Sequence, residues 1–160
     1  MLLSFFRRLI AQFRATAGWT PELALRRFSR QQTRLQRDFF QRAASAGKPR
    51  GLRWTRCDWL PQRQLMRERS SGLLTLLVGI NIQFEAIEGG DMEGVDALGM
   101  VRDACAVFHY QRGRWGTGGR ALFNMHPENA AERLGDSYEV VHLTQPPAPA
   151  DSHSKNTRFG

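Results

Sequence analysis

His109, Glu85, Asn81 and Arg120 are the residues of this 160-residue chain whose types could furnish a small polar site. An imidazole can move a proton, a carboxylate can orient it, and an amide with a guanidinium can hold a polar or anionic ligand. His109 lies inside a segment with strand alternation, and a pocket that placed it beside Glu85 would suit a general base. A histidine on the solvated face of a strand is the simpler reading, and the chain carries no G-x-S-x-G or other nucleophile pattern. Cys57 and Cys105 belong to no active-site or disulfide framework; they read as small buried hydrophobes, with a bridge between adjacent strands as the alternative. The expectation is therefore a non-enzymatic protein with no assigned catalytic residue, the His109 pocket standing as the competing reading.

Metal and cofactor chemistry find no support in the spacing. His109, His126, Cys57 and Cys105 are too scattered for a zinc signature, which brings its ligands in close pairs. Glu85, Glu88, Asp91, Glu93 and Asp96 form an acidic run that lacks the alternating acids, glycine and terminal glutamate of an EF-hand. That run reads as a solvated loop or as a docking surface for arginines. The glycines of RWGTGGRALFN (114–124) precede an apolar stretch of strand length. A nucleotide-binding glycine loop must open a helix, whose amides hold the anion, so a hairpin turn with a strand bulge is the expectation here. No cofactor or metal is expected.

The strongest functional signal is charge. The chain carries +8, yet residues 1–50 alone hold ten arginines and one lysine against Glu22 and Asp38, or +9, leaving −1 for the rest. Such asymmetry marks an arm for an anionic partner. Arg26, Arg27, Arg30, Arg34 and Arg37 cluster on one side of a helical pattern and are the candidate anion-binding residues, since guanidinium binds phosphate bidentately. The partner could be nucleic acid, held through its phosphates, or another protein. It could also be an anionic membrane surface, with Leu2, Leu3, Phe5 and Phe6 entering the interface. A solvated helical face, or one that covers acids of the remainder, is the bland reading. Trp54 and Trp59 around Arg56 could stack on bases or fill a core. An arginine-rich leader of the organellar type is a minor option. No apolar run approaches the ~20 residues of a membrane-spanning helix, so a cytoplasmic protein is expected, with peripheral membrane association as the variant.

These residues need elements to position them. Leu2, Leu3, Phe6, Leu9, Ile10 and Phe13 recur at helical spacing, and Gly18 breaks that run. Thr20-Pro21 restarts a helix expected to reach about Ala44, with Leu25, Phe28, Leu35 and Phe39 inward. Beyond Ala46–Gly51 the period becomes two. Strands are expected at Leu52–Asp58, Gln64–Glu68, Val78–Ala86, Ala104–Gln111, around Arg120–Phe123 and at Tyr138–Leu143, with Ser70-Ser71-Gly72 as a turn. Ala104, Ala106, Phe108 and Tyr110 should share one face, and Cys105, Val107 and His109 the other. A short helix is expected to start at Pro127, and the Pro-containing stretch from Gln145 reads as a tail.

The stretches GKPRGLRW (47–54), FEAIEGGDME (84–93) and GRALFNMHPE (119–128) resemble a family of uncharacterised bacterial proteins. The resemblance spans residues 47–131, implies a compact bacterial domain, and assigns no activity or residue role. The fold expected is α+β: N-terminal amphipathic helices, an antiparallel sheet of five or six strands and one short C-terminal helix. The division expected is a basic helical segment at 1–46, a sheet domain at 47–143 and a tail at 144–160. On that division a chain beginning near Lys48 should fold and lose its affinity for polyanions.

Overall fold

A computed structural model of the chain describes residues 20–94 and 101–143. The Leu2–Phe13 pattern, Asp96 and the tail from 144 lie outside the described residues. Helix α1 spans Pro21–Ser45. Leu23 N donates to Thr20 Oγ1 at 3.2 Å, which satisfies an amide that the first turn leaves open, and Pro21 loses nothing there because that amide would be free. At the other end Gly47 takes φ +64°, the left-handed conformation that stops a helix, and Pro49 follows. Among the described residues one helix, not a pair, precedes the sheet.

The sheet is wholly antiparallel: β1 (Leu52–Glu68), β2 (Leu74–Ala86), β3 (Arg102–Gln111), β4 (Arg114–Gly116), β5 (Ala121–Phe123) and β6 (Tyr138–Val140). Its order is β4-β3-β2-β1-β6, with β5 also on β3. Helix α2 (Pro127–Arg133) lies between β5 and β6. The described residues are thus α+β, with a six-stranded sheet and two helices.

Two expected strands are one. Residues 52–58 and 64–68 belong to the single 17-residue β1, which stays paired to β2 by absorbing irregularities. The register passes from Trp54↔Phe84 to Arg56↔Gln83, and from Trp59↔Ile80 to Arg63↔Val78. Pro61 lies in the second irregularity, where a missing amide costs no ladder bond. Leu60 fills the space over Gly79, where an added Cβ would stand 3.3 Å from Leu60 Cβ. The apolar alternation therefore looks broken at 60–62 while the strand runs on. The last strand is shorter than expected, ending at Val140.

Both faces of the sheet are covered. On one, Leu76, Val78, Ile80, Ile82, Ala104, Ala106 and Phe108 meet Ala24, Phe28, Leu35, Phe39 and Ala43 of α1 in one core. Leu25, expected inward, is half-buried; Ala24 holds the deep position. On the other, Met66, Leu77, Cys105, Val107 and Ala130 form a smaller cluster under α2. Because β2 is buried on both faces from Leu74 to Ile80, its first half reads as an unbroken apolar run.

The glycine-rich stretch carries β4, an irregular link at 117–120 and β5, so its glycines lead into a strand and not a helix, and the hairpin turn lies just before it. Arg112 (φ 52°) and Gly113 (φ 77°) make a two-residue loop between β3 and β4, with the positive angles a primed hairpin turn requires. Gly119 is different in kind. With φ +77°, its Cβ would stand 2.6 Å from Ala43 N and 2.7 Å from Arg42 Cβ, so its bareness lets the sheet edge meet the last turn of α1.

The change of period near Gly47 separates elements and not cores, since Phe28, Leu35 and Phe39 pack in the same cluster as Ile80 and Phe108. A chain beginning near Lys48 would expose that face. Urea denaturation should show no cooperative transition for that truncated chain. In the full chain, Phe39→Ala should cost about 3–5 kcal/mol. Gly119→Ala should cost more than about 1 kcal/mol, through both steric overlap and the positive φ.

Candidate functional site

The apolar side of α1 is committed to the sheet, which determines where its arginines point. Arg26, Arg30 and Arg37 are exposed, and none has a carboxylate at ion-pair distance among the described residues. Arg34 is exposed but engaged: Nη1 donates to Asp38 Oδ2 at 3.0 Å and Nη2 to Gln31 Oε1 at 2.9 Å. Arg27 reaches inward, and its Nη1 donates to Gly113 O at 2.9 Å in the β3–β4 hairpin. That bond sets the turn of the hairpin, with the exposed Arg112, beside the first half of α1, whereas Arg114 lies on the sheet face opposite to that of Trp115. The position of Arg112 near the helix was not legible in the sequence, because 86 residues separate the bonded pair.

The expectation that acids of the sheet cover these arginines fails for the residues in view. Glu85 pairs with Arg53 of β1 (2.8 Å). Glu93 accepts from Gly89 N within its own loop. Trp54 and Trp59 lie in the aromatic core against Phe39, with ring centroids 6.1 and 5.5 Å away, so they are not stacking platforms. Arg56 points to the other face, where Nε donates to Asp58 Oδ1 at 2.8 Å.

Of the four pocket residues, the register brings two together. His109 stands opposite Thr75 on β2, and its Nδ1 is 3.2 Å from Thr75 Oγ1. Partial burial pushes its pKa down; Glu68 opposes this and Arg120 adds to it, so His109 and Arg120 share one neighbourhood. Glu85 lies ten residues further along β2 than Thr75, about 33 Å at ~3.3 Å per residue, and so is not a partner for His109. Asn81 stands midway, opposite Asp58 on one side and Asp103 on the other. Its Oδ1 is buried without a hydrogen-bond partner. Asp103 Oδ2 is 3.6 Å from His126 Nε2. Among the described residues no group of three or more His, Cys, Asp or Glu side chains could hold a metal ion.

Both cysteines are free, and they cannot pair: Cys57 of β1 packs against the α1 core, whereas Cys105 of β3 belongs to the cluster under α2. Burial and the adjacent Asp58 push the Cys57 thiol up to about 12, and burial pushes Cys105 to about 11. Cys105 Sγ also donates to Met125 O. No helix among the described residues is long and apolar enough to cross a membrane. No family model, no curated protein and no solved structure matches this chain.

The thiols supply a pH prediction. A folded pKa raised above the unfolded value means the native state binds its proton more tightly, so the stability it contributes is complete below about pH 8.5 and is lost as pH rises toward 11–12. Melting temperature should fall across that alkaline window, and Cys57→Ala should flatten the fall. At neutral pH neither thiol should react with a disulfide reagent in the native protein, and both should react once it is denatured.

Proposed function

We infer that this protein is a non-enzymatic binding or scaffold module whose basic helix α1 docks on an anionic partner. The observation that carries the reading is the division of α1 into a face locked to the sheet by Phe28 and Phe39 and a face bearing Arg26, Arg30 and Arg37 without neutralising carboxylates. A helix held rigidly by its opposite face has no backbone freedom left to lose on meeting a phosphate, so the ordering cost is confined to the arginine side chains. Arg112, at the turn of the neighbouring hairpin, adds a further exposed guanidinium beside the helix. The sheet then serves as a rigid mount.

Contacts of this kind are electrostatic and read no sequence, so binding should fall steeply with salt. The test compares the full chain with a variant carrying Arg26→Gln, Arg30→Gln and Arg37→Gln, substitutions that keep helix propensity. Binding to duplex DNA and to anionic vesicles is followed across a salt series. The variant should keep its melting temperature, bind DNA more weakly and lose about three from the magnitude of the log–log salt slope. Equal binding by the variant and the parent chain would overturn the docking role. Salt-resistant binding to vesicles alone would instead favour apolar insertion at a membrane surface.

A further inference from the structure

The sheet face away from α1 carries a second feature, at the edge formed by β3 and β4. His109 stands opposite Gly116 and Gln111 opposite Arg114, all four on that face. Gly116 has no side chain, and a Cβ placed there would meet nothing within 4 Å. The bare position leaves a depression of about 330 Å³, walled by His109, Gln111, Arg114 and Thr117. That volume is in the range that takes a small molecule.

The groups around it suit an anion. Arg114 is exposed and makes no ion pair among the described residues. Arg120 is near enough for its charge to act on His109. The contact of His109 Nδ1 with Thr75 Oγ1 leaves Nε2 for a ligand. Gln111 adds an amide donor. Thr117 is committed elsewhere: its hydroxyl donates to Val107 O and accepts from Gly119 N, so it holds the wall in place. The walls contain no carboxylate. Among the described residues the acid acting on His109 is Glu68, which accepts from the Ser71 hydroxyl.

We propose that this depression binds the phosphate group of a small molecule, with Arg114 as the principal contact and His109 and Gln111 beside it. Phosphate is favoured over carboxylate because a guanidinium, an imidazole and an amide together match a dianion with several acceptor oxygens, whereas a carboxylate would be satisfied by Arg114 alone. The site is independent of the α1 surface and stands or falls separately from it. A dianion beside Nε2 also favours the imidazolium, against the burial and the Arg120 charge that disfavour it in the empty site; Thr75, Glu68, Gln111 and Arg114 are its other polar neighbours.

The test is an NMR titration of the full chain with inorganic phosphate, following the His109 ring and the Trp115 indole at constant ionic strength. Phosphate should shift the His109 ring signals saturably in the millimolar range and raise the pKa of that ring. Arg114→Gln should weaken binding about tenfold, the loss expected for one charge-assisted contact. Gly116→Val, a substitution that suits a strand, should intrude on the floor of the depression and weaken binding. The Arg30→Gln, Arg37→Gln pair should bind phosphate as the parent does. A His109 ring that phosphate leaves unmoved would sink the proposal, as would binding unchanged in Arg114→Gln or an equal response to acetate. Arg114 is exposed, so that variant decides the matter even if Gly116→Val fails to fold.

Discussion

The structure depends on the aromatic contact between α1 and the sheet. Phe28 meets Phe108 and Trp115 edge-on at 5.1 and 5.4 Å, and Phe39 meets Trp54, Trp59 and Phe108 between 5.5 and 6.1 Å. Such pairs add directional preference to their buried area, so they set the rotation of the helix about its axis as well as its attachment. Two polar contacts guard the same alignment. Trp115 Nε1 donates to Ala24 O at 2.7 Å, and Arg27 donates to Gly113 O, tying the β3–β4 hairpin to the first half of the helix. At the other end Gly119 lets the backbone of α1 approach the sheet edge.

With the rotation set, the electrostatics follow. A helix with five fully inward residues has one direction left for its long cations, and Arg26, Arg30 and Arg37 take it. Where a guanidinium lies close to the core, the packing finds it a partner. Arg27 has a carbonyl, and Arg63 donates to Gln32 Oε1 while its guanidinium lies 5.4 Å from the Phe28 ring centroid. Gln32, which interrupts the apolar pattern of the helix, is thereby a polar contact to β1 and not a flaw in the seam. The two faces of the sheet divide the chemistry further. The α1 face is aromatic and closed. The far face changes along its length from the apolar cluster under α2 to the polar row of Arg56, Asp58, Asn81 and Asp103.

Much of the local structure was legible. Thr20-Pro21 marked the start of α1 because capping is a matter of neighbouring residues, and the helix was placed within a residue of its observed end. The alternation of Ala104–Tyr110 placed Phe108 and Cys105 on opposite faces, where they are found. The site was less legible. His109 and Arg120 could be named as polar residues near strands, but Glu85 was grouped with them only because it too lies in a strand; the distance between them is set by register. Arg114 and Gly116 looked like punctuation of a turn. Their meaning as a wall and an empty floor exists only once β4 lies beside β3.

Residue order alone determined what is local: the caps, the helical and strand periods, the hairpin at Arg112-Gly113 and the concentration of positive charge in the leading third of the chain. These depend on groups a few residues apart, whose geometry the backbone itself dictates. The tertiary structure decided the continuity of β1 across Pro61, the union of helix and sheet in one core, the choice of which arginines stay free, and the pairing of His109 with Thr75. Each of these is a contact between residues tens of positions apart. Their selection depends on the packing of Phe28 and Phe39 against the sheet and on strand register, which no short window of sequence contains.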